Sequence, residues 1–227
     1  MNQTRGAEAN GRGQRQWDAV CRDLQRDIIS GRYRPRERLI EDEVIAATGA
    51  TRHAVRRAFD ELARLGLVVR QPNRGVQVRD YTREEIEDLY EIRECLEVTA
   101  AERYPLPAPA ELLGSLADIA ARHEAASREQ RFAELFALNN QFHEMLYRAA
   151  GNRQLAEAIR HYTFATHPIR TRAFPNEDLR AVAVRDHWQM IASIREGDRA
   201  GLAATIREHI RRPKDYYLAT NFVAGPF

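Results

Sequence analysis

Three histidines fall on the apolar faces of three different stretches of the chain. His143 follows hydrophobic residues at helical spacing (Phe132, Leu135, Phe136, Phe142, Leu146), and Asn139 lies four residues before it on the same face. His187 sits among Val184, Trp188, Ile191 and Ile194, and His209 among Leu202, Ile206 and Ile210. A single histidine in an apolar stripe is ordinarily a packed side chain with one hydrogen bond. Three of them, on three helices, place imidazole lone pairs where a bundle can gather them on a divalent ion. The alternatives are a purely structural cluster, or a metal-dependent enzyme in which an open coordination position activates water. Against the enzyme, no general base of the expected kind stands near these ligands.

A second chemistry is carried by Ala50 to Arg57, A-T-R-H-A-V-R-R. Val55, Ala58, Phe59, Leu62 and Leu65 form the buried stripe of a short helix. Arg52 and Arg56, four apart, project from one exposed face together with Thr51, His53 and Arg57. Alone, such a face is a solvated basic surface. Arginine can also fork onto guanine O6 and N7, worth about 1–3 kcal/mol of discrimination per contact. A threonine at a helix N-terminus can hold a phosphate.

The surroundings decide between these readings. Residues 1–80 carry a net charge of +5 and the rest of the chain −3, within a total of +2, so a polyanion partner belongs to the first part. No apolar run is long enough to span a membrane and the N-terminus has no secretory core, so a cytoplasmic protein is expected. Cys21 and Cys95 fit no metal or redox spacing and are expected to be packed free thiols.

Residues 1–15 read as a disordered arm. A helix over Gln16–Ser30 precedes a basic connection, then a short helix over Glu41–Thr48 burying Val44, Ile45 and Ala47. Gly49 turns the chain, and Thr51 caps the third helix. Gly66, two short strands (one before and one after Gln71–Gly75) and the turn itself form a wing. Residues 16–79 thus predict a winged helix-turn-helix, and 80–82 a linker. Residues 83–220 predict an all-α bundle of six helices, over Arg83–Tyr104, Pro109–Ser127, Glu129–Ala150, Asn152–Arg170, Asp178–Glu196 and Asp198–Ala219, with 221–227 as a tail. The fold class is mainly α. Arg93 lies on the stripe of the first bundle helix, where a buried guanidinium requires an anion: an internal partner such as Glu97, or a ligand carboxylate held in bidentate fashion.

The run T-R-H-A-V-R-R-A-F-D-E-L-A-R-L-G-L-V-V-R-Q-P-N-R-G-V-Q-V resembles the DNA-binding domain of GntR-type bacterial transcription regulators. It matches at Thr51, Arg52, Val55, Arg56, Ala58, Leu62, Gly66 and Leu67, with Phe59 in place of the usual leucine. The resemblance spans Leu24 to Val78. It departs at Arg36-Glu37, where the family usually has glycine. It implies that Thr51, Arg52, His53 and Arg56 contact operator DNA, with Arg74 and Gly75 in the wing. Arg57 is read as a phosphate contact or a solvated side chain, and Asp60 as the residue that holds Arg56 in place. Four pieces of the bundle (Tyr90–Glu97, Asn139–Asn152, Asp186–Ile191, Arg207–Ile210) resemble the FCD ligand-binding domain of the FadR subfamily, in its six-helix VanR-like branch. Metal-binding members carry D-x-x-x-H, then two further histidines. Here His143, His187 and His209 match, and Asn139 stands where many members have aspartate. The resemblance implies a divalent ion of the zinc, nickel or manganese class on these four residues. It also favours Arg93 as an effector clamp. His123, His161 and His167 fit no pattern and are read as surface or structural.

The expectation is a metabolite-responsive transcription regulator and no enzyme. It would be a homodimer on a pseudo-palindromic operator, and a repressor released by a small carboxylate-bearing metabolite.

Overall fold

The computed structural model describes residues 16–28, 31–71 and 75–222. The expected arm, the end of the first helix, Arg74 and the last five residues of the tail lie outside them. The chain divides into two compact units, residues 1–81 and 82–227.

In the first unit, helix α1 covers 16–28, and Val20, Cys21, Leu24 and Ile28 form its buried stripe. Strand β1 (Arg38–Leu39), α2 (Glu41–Thr48), α3 (Arg52–Arg64), β2 (Val68–Arg70) and β3 (Val76–Val78) follow. Gly49 ends α2 in the left-handed region at φ 65°, which glycine adopts without a Cβ penalty. The Thr51 side chain accepts from the Ala54 amide and starts α3. Val55, Ala58, Phe59 and Leu62 of α3 are buried against Leu24, Leu39, Leu67 and Val76.

Two expectations are corrected here. The basic connection contains a strand: β1 pairs antiparallel with β3, Arg38 opposite Gln77 and Leu39 opposite Val76, so the wing is three-stranded in the order β1-β3-β2. A two-residue strand has no periodicity to read. Ala47 is exposed, and Val44 alone is buried on α2. The departure from the family pattern has a visible consequence. Arg36 sits at φ 66°, a left-handed conformation that explains the usual glycine, and its Nε donates to Asp80 at 2.7 Å.

The second unit contains α4 (Arg83–Glu102), α5 (Ala110–Arg128), α6 (Phe132–Ala149), α7 (Arg153–Ala165), α8 (His167–Arg170), a 3₁₀ turn (Thr171–Ala173), α9 (Glu177–Glu196) and α10 (Arg199–Asn221). Thr82 and Glu85 form a reciprocal capping box at the start of α4. Asn152, Asn176 and Asp198 cap α7, α9 and α10 through their side chains. Helix α4 packs on α7 and α10, α5 on α6 and α9, and α9 on α10. Phe142, Leu146, Ile191, Leu202 and Ile206 lie in the shared core. No helix among the described residues is long and apolar enough to cross a membrane.

The bundle therefore has six long helices, but the expected fourth one stops early. Pro168 lacks the amide a continuing helix needs, so the chain breaks at Thr166 and restarts as α8. Trp188 is not on the buried face of α9: it is 37% exposed and its Nε1 donates to Glu124. Met190 takes the core position instead. Cys95 is exposed rather than packed, whereas Cys21 is buried, and both are free thiols.

Gly75 has φ 78°, and a Cβ there would stand 3.0 Å from the Leu39 carbonyl oxygen. Gly75→Ala is expected to cost about 1–2 kcal/mol in the first unit, from left-handed strain together with that close approach, measurable as a lower urea midpoint.

Candidate functional site

On the first unit, Thr51, Arg52, His53 and Arg56 are all exposed on one end of α3. In this structure the two arginines face the start of α2. Arg52 donates through Nη1 to Glu41 at 2.6 Å and through Nη2 to Asp42 at 2.8 Å; Arg56 donates through Nε to the other Glu41 oxygen at 2.9 Å. The Arg56 guanidinium, with Arg52 beside it, holds the Glu41 carboxyl below its ordinary range. Asp60, expected to position Arg56, pairs with Arg70 instead. Arg57 is half-buried with its guanidinium 4.7 Å over the Trp17 ring, which fixes α1 to α3 and takes it off the open face. Gly75 stands at the base of the wing turn.

In the second unit, α6, α9 and α10 bring His143, His187 and His209 together. The Nε2 of His143 lies 3.0 Å from that of His209 and 3.3 Å from that of His187, and all three offer a ligand atom within 4.8 Å of one another. Two nitrogens on one ion at about 2.0–2.1 Å stand roughly 2.9–3.4 Å apart, so the spacing suits a shared metal. Burial, then the neighbouring His209, holds His143 well below the ordinary histidine pKa; burial, then His123, does the same for His187. Both are thus neutral and present lone pairs. His209 is oriented by Asp186, 3.1 Å from its Nδ1, and Asp186 in turn accepts from Arg212 at 2.6 Å. The Nδ1 atoms of His143 and His187 have no partner. Asn139 is buried on the same face of α6, and its amide nitrogen is also unpartnered. The convergence of the Nε2 atoms at ligand spacing is what fits an ion here; the orphaned Nδ1 and amide nitrogens are donors or face away from it.

Arg93 is only 3% exposed, and its anion is internal. Its Nε donates to Glu97 at 2.8 Å and its Nη1 to Thr166 at 3.1 Å. The second Glu97 oxygen accepts from the Tyr147 hydroxyl at 2.5 Å. Tyr147 stacks on His143, with ring centroids 5.9 Å apart, so the pair braces the histidine centre from behind. Arg93 lines neither of the clefts that reach this centre. One cleft, about 520 Å³ with its open mouth included, is bordered by Asn139, His123, His209, Arg170 and Arg180. The other, on the far side of α6, is bordered by Asn140, His143, Tyr147 and His167.

Residues 88–212 match the FCD domain family, and residues 17–78 match the bacterial regulatory proteins of the gntR family. The chain is a GntR-family regulator with an FCD domain. An HTH-type transcriptional regulator of Bacillus subtilis, YdhC, is 24% identical over 82% of this chain and 84% of its own length. The HTH-type transcriptional repressor RspR of Escherichia coli is 22% identical over 85% and 84%. Among solved structures, E. coli McbR/YncC superposes with a TM-score of 0.76 at 17% identity, covering 90% of this chain and 98% of its own. A GntR regulator from Rhodococcus sp. RHA1 gives 0.73 at 22% identity, covering 89% and 97%. The regulator thus binds DNA through its winged helix-turn-helix and carries a ligand-binding FCD domain.

Three residues around the FCD centre escaped the sequence reading. His123 is buried, with its ring centroid 4.5 Å from that of His187, and burial with nearby His209 pushes its pKa down to about 3. The signal was present: His123 continues the buried stripe Leu116, Ile119, Ala120 of α5. His167 is buried against Phe136 and Phe164 with both ring nitrogens unpartnered, just before the Pro168 break that displaced the expected helix. Arg180 precedes His187 by seven residues on α9 and is also buried. His161 is exposed, as expected.

His123, His143 and His187 all have folded pKa values below the ordinary 6.5. The unfolded chain therefore binds protons first as pH falls, and stability is lost from about pH 6.5 downward towards 3. Thermal midpoints of the metal-free regulator are expected to be level above pH 7.5 and to fall steadily through this window. A triple substitution of these histidines by glutamine should flatten the fall.

Proposed function

We propose that this regulator is a homodimer on a pseudo-palindromic operator. It represses transcription until a small carboxylate-bearing metabolite enters the FCD domain. One winged helix reads only a few base pairs, which calls for two readers on one site. The carrying observation is that three Nε2 atoms of one bundle converge within 4.8 Å beside a cleft, in a chain whose other unit is a winged helix-turn-helix. Repression is supported by the name of the E. coli relative, a transcriptional repressor. The six long helices support the VanR-like branch of the FadR subfamily.

On DNA, Arg52 and Arg56 would leave Glu41 for base edges, with His53 beside them. Thr51 would meet a phosphate at the α3 N-terminus; its oxygen already accepts from Ala54, and its proton remains to donate. Arg74 and Gly75 would form the wing contact, while Arg57 stays over the Trp17 ring. His143, His187 and His209, with Asn139 as an uncharged fourth ligand in place of aspartate, would hold a divalent ion of the zinc, nickel or manganese class. Bound there, the ion would supply a Lewis-acidic anchor for a carboxylate oxygen. Arg93 serves this site as a brace, since its hydrogen bonds go to Glu97 and Thr166. We read the centre as a sensor and not a catalyst, in keeping with the relatives' names. The effector acts by preferring one arrangement of the two readers.

In gel shifts with the DNA upstream of its own gene, Arg52→Ala and Arg56→Ala should each weaken binding by about 1–3 kcal/mol, roughly tenfold or more. Unchanged binding in both removes α3 as the reader. Elemental analysis of the purified regulator should find close to one divalent ion per chain, lost in a His143→Ala/His187→Ala variant. Absence of metal from both proteins sinks the metal assignment.

A further inference from the structure

The two clefts that reach the histidine centre differ in their charge balance. On the far side of α6, Arg148 pairs with Glu144 at 2.8 Å and Arg160 with Glu157 at 2.7 Å. Every arginine bordering that cleft has its carboxylate. The cleft beside His209 does not balance. Its one carboxylate, Asp186, is taken by Arg212 and His209. Glu97, deeper in the core, is taken by Arg93 and Tyr147. Arg170 and Arg180 remain. Both are more than nine-tenths buried, and among the described residues neither forms an ion pair.

Their few contacts leave one edge of each guanidinium open. Arg170 donates through Nη2 to Asn140 Oδ1 at 2.5 Å, and Arg180 through Nη1 to the Phe174 carbonyl at 2.5 Å. Both acceptors are uncharged. The Nε of each arginine is buried without a partner. The faces of the two groups are covered by rings: Arg170 lies 5.8 Å from the Phe136 centroid and Arg180 5.6 Å from that of Phe132. An aromatic ring satisfies the face of a guanidinium but not its in-plane N–H donors. Burial, then the repulsion of Arg93, draws the Arg170 pKa down to about 10, so it stays charged at neutral pH. Two buried cations with their donor edges open are stable only when an anion arrives.

We propose that Arg170 and Arg180 form a second anion subsite, and that the ligand of the FCD domain is a small dicarboxylate. An ion held by His143, His187 and His209 would anchor one carboxylate; the other accepts in-plane hydrogen bonds from the Nε edges of the two arginines. Between them the ligand spans Leu135, Leu179 and Ala183, an apolar wall that suits a short hydrocarbon spacer. This deepens the reading of the cleft as the effector site and rests on it.

The test is titration calorimetry on the full-length, zinc-loaded regulator with the α,ω-dicarboxylates from malonate to adipate, each compared with its half methyl ester. The ester keeps the length and one carboxylate but removes the second charge. At one chain length the diacid should bind at least about tenfold more tightly than its half-ester, the scale of one charge-assisted hydrogen-bonding site. Arg170→Gln and Arg180→Gln should each erase that preference while metal content stays unchanged. Equal affinity of diacid and half-ester at every length, or no diacid binding at roughly 10 mM, overturns the subsite. So does a preference that survives the double variant. Should a variant fail to fold, the comparison in the unmodified regulator still decides. A regulator that retains no zinc yet still prefers the diacid keeps the arginine subsite and refutes only the metal centre.

Discussion

Three imidazole Nε2 atoms meet inside a helical bundle, that of His143 standing 3.0 Å from that of His209 and 3.3 Å from that of His187, where burial denies them water. Whether two such nitrogens attract or repel is set by which of them carries a proton. The geometry persists because α6, α9 and α10 are fixed by ordinary apolar packing one turn away: Phe142 and Leu146 on one helix, Ile191 and Ile194 on the next, Ile206 and Ile210 on the third. Phe142 lies against His187 at 4.2 Å between ring centroids, and Tyr147 against His143. The hydrophobic core thus aims the polar centre.

The buried charges around it fall into two groups that behave differently. Arg93 and Glu97 are mutually satisfied, with Tyr147 and Thr166 closing the remaining bonds. Such a unit adds rigidity, and removing one member would leave the other uncompensated. Among the described residues, Arg170 and Arg180 have no carboxylate partner. The first group belongs to the scaffold and the second to whatever the scaffold receives. Burial alone does not separate them, since all three arginines are almost equally inaccessible. The difference lies in who holds the donor atoms.

Periodicity made the α3 stripe readable, and with it the helix-turn-helix, because Val55, Ala58, Phe59 and Leu62 repeat at the helical interval and Gly49 and Gly66 bracket them. The same rule found His143, His187 and His209 by the company they keep. It misplaced Trp188, a large ring with a polar edge that sits as well at a rim as in a core. It leaves His123 open between surface and structure, because the place of that residue shows only as part of the α5 stripe. Arg170 and Arg180 gave no usable signal: arginine is so often a surface residue that its burial is visible only once the helices are assembled. The break at Pro168 and the two-residue strand β1 depend on local geometry too short for any repeat to announce.

Glu41 accepts from both Arg52 and Arg56, so the face of α3 that we propose reads DNA already holds an anion. Any nucleic acid must outbid a resident carboxylate before it gains either arginine. A random sequence offers little beyond phosphate oxygens, which an arginine finds hardly better than the glutamate it leaves; a cognate site adds base edges. On that proposal the acidic first turn of α2 acts as an internal competitor. It subtracts a similar amount from every sequence, which lowers all affinities by the same factor and leaves their ratio as the base contacts set it. A residue that need never touch DNA would thus set how tightly the regulator holds any site, while the choice among sites stays with the base edges.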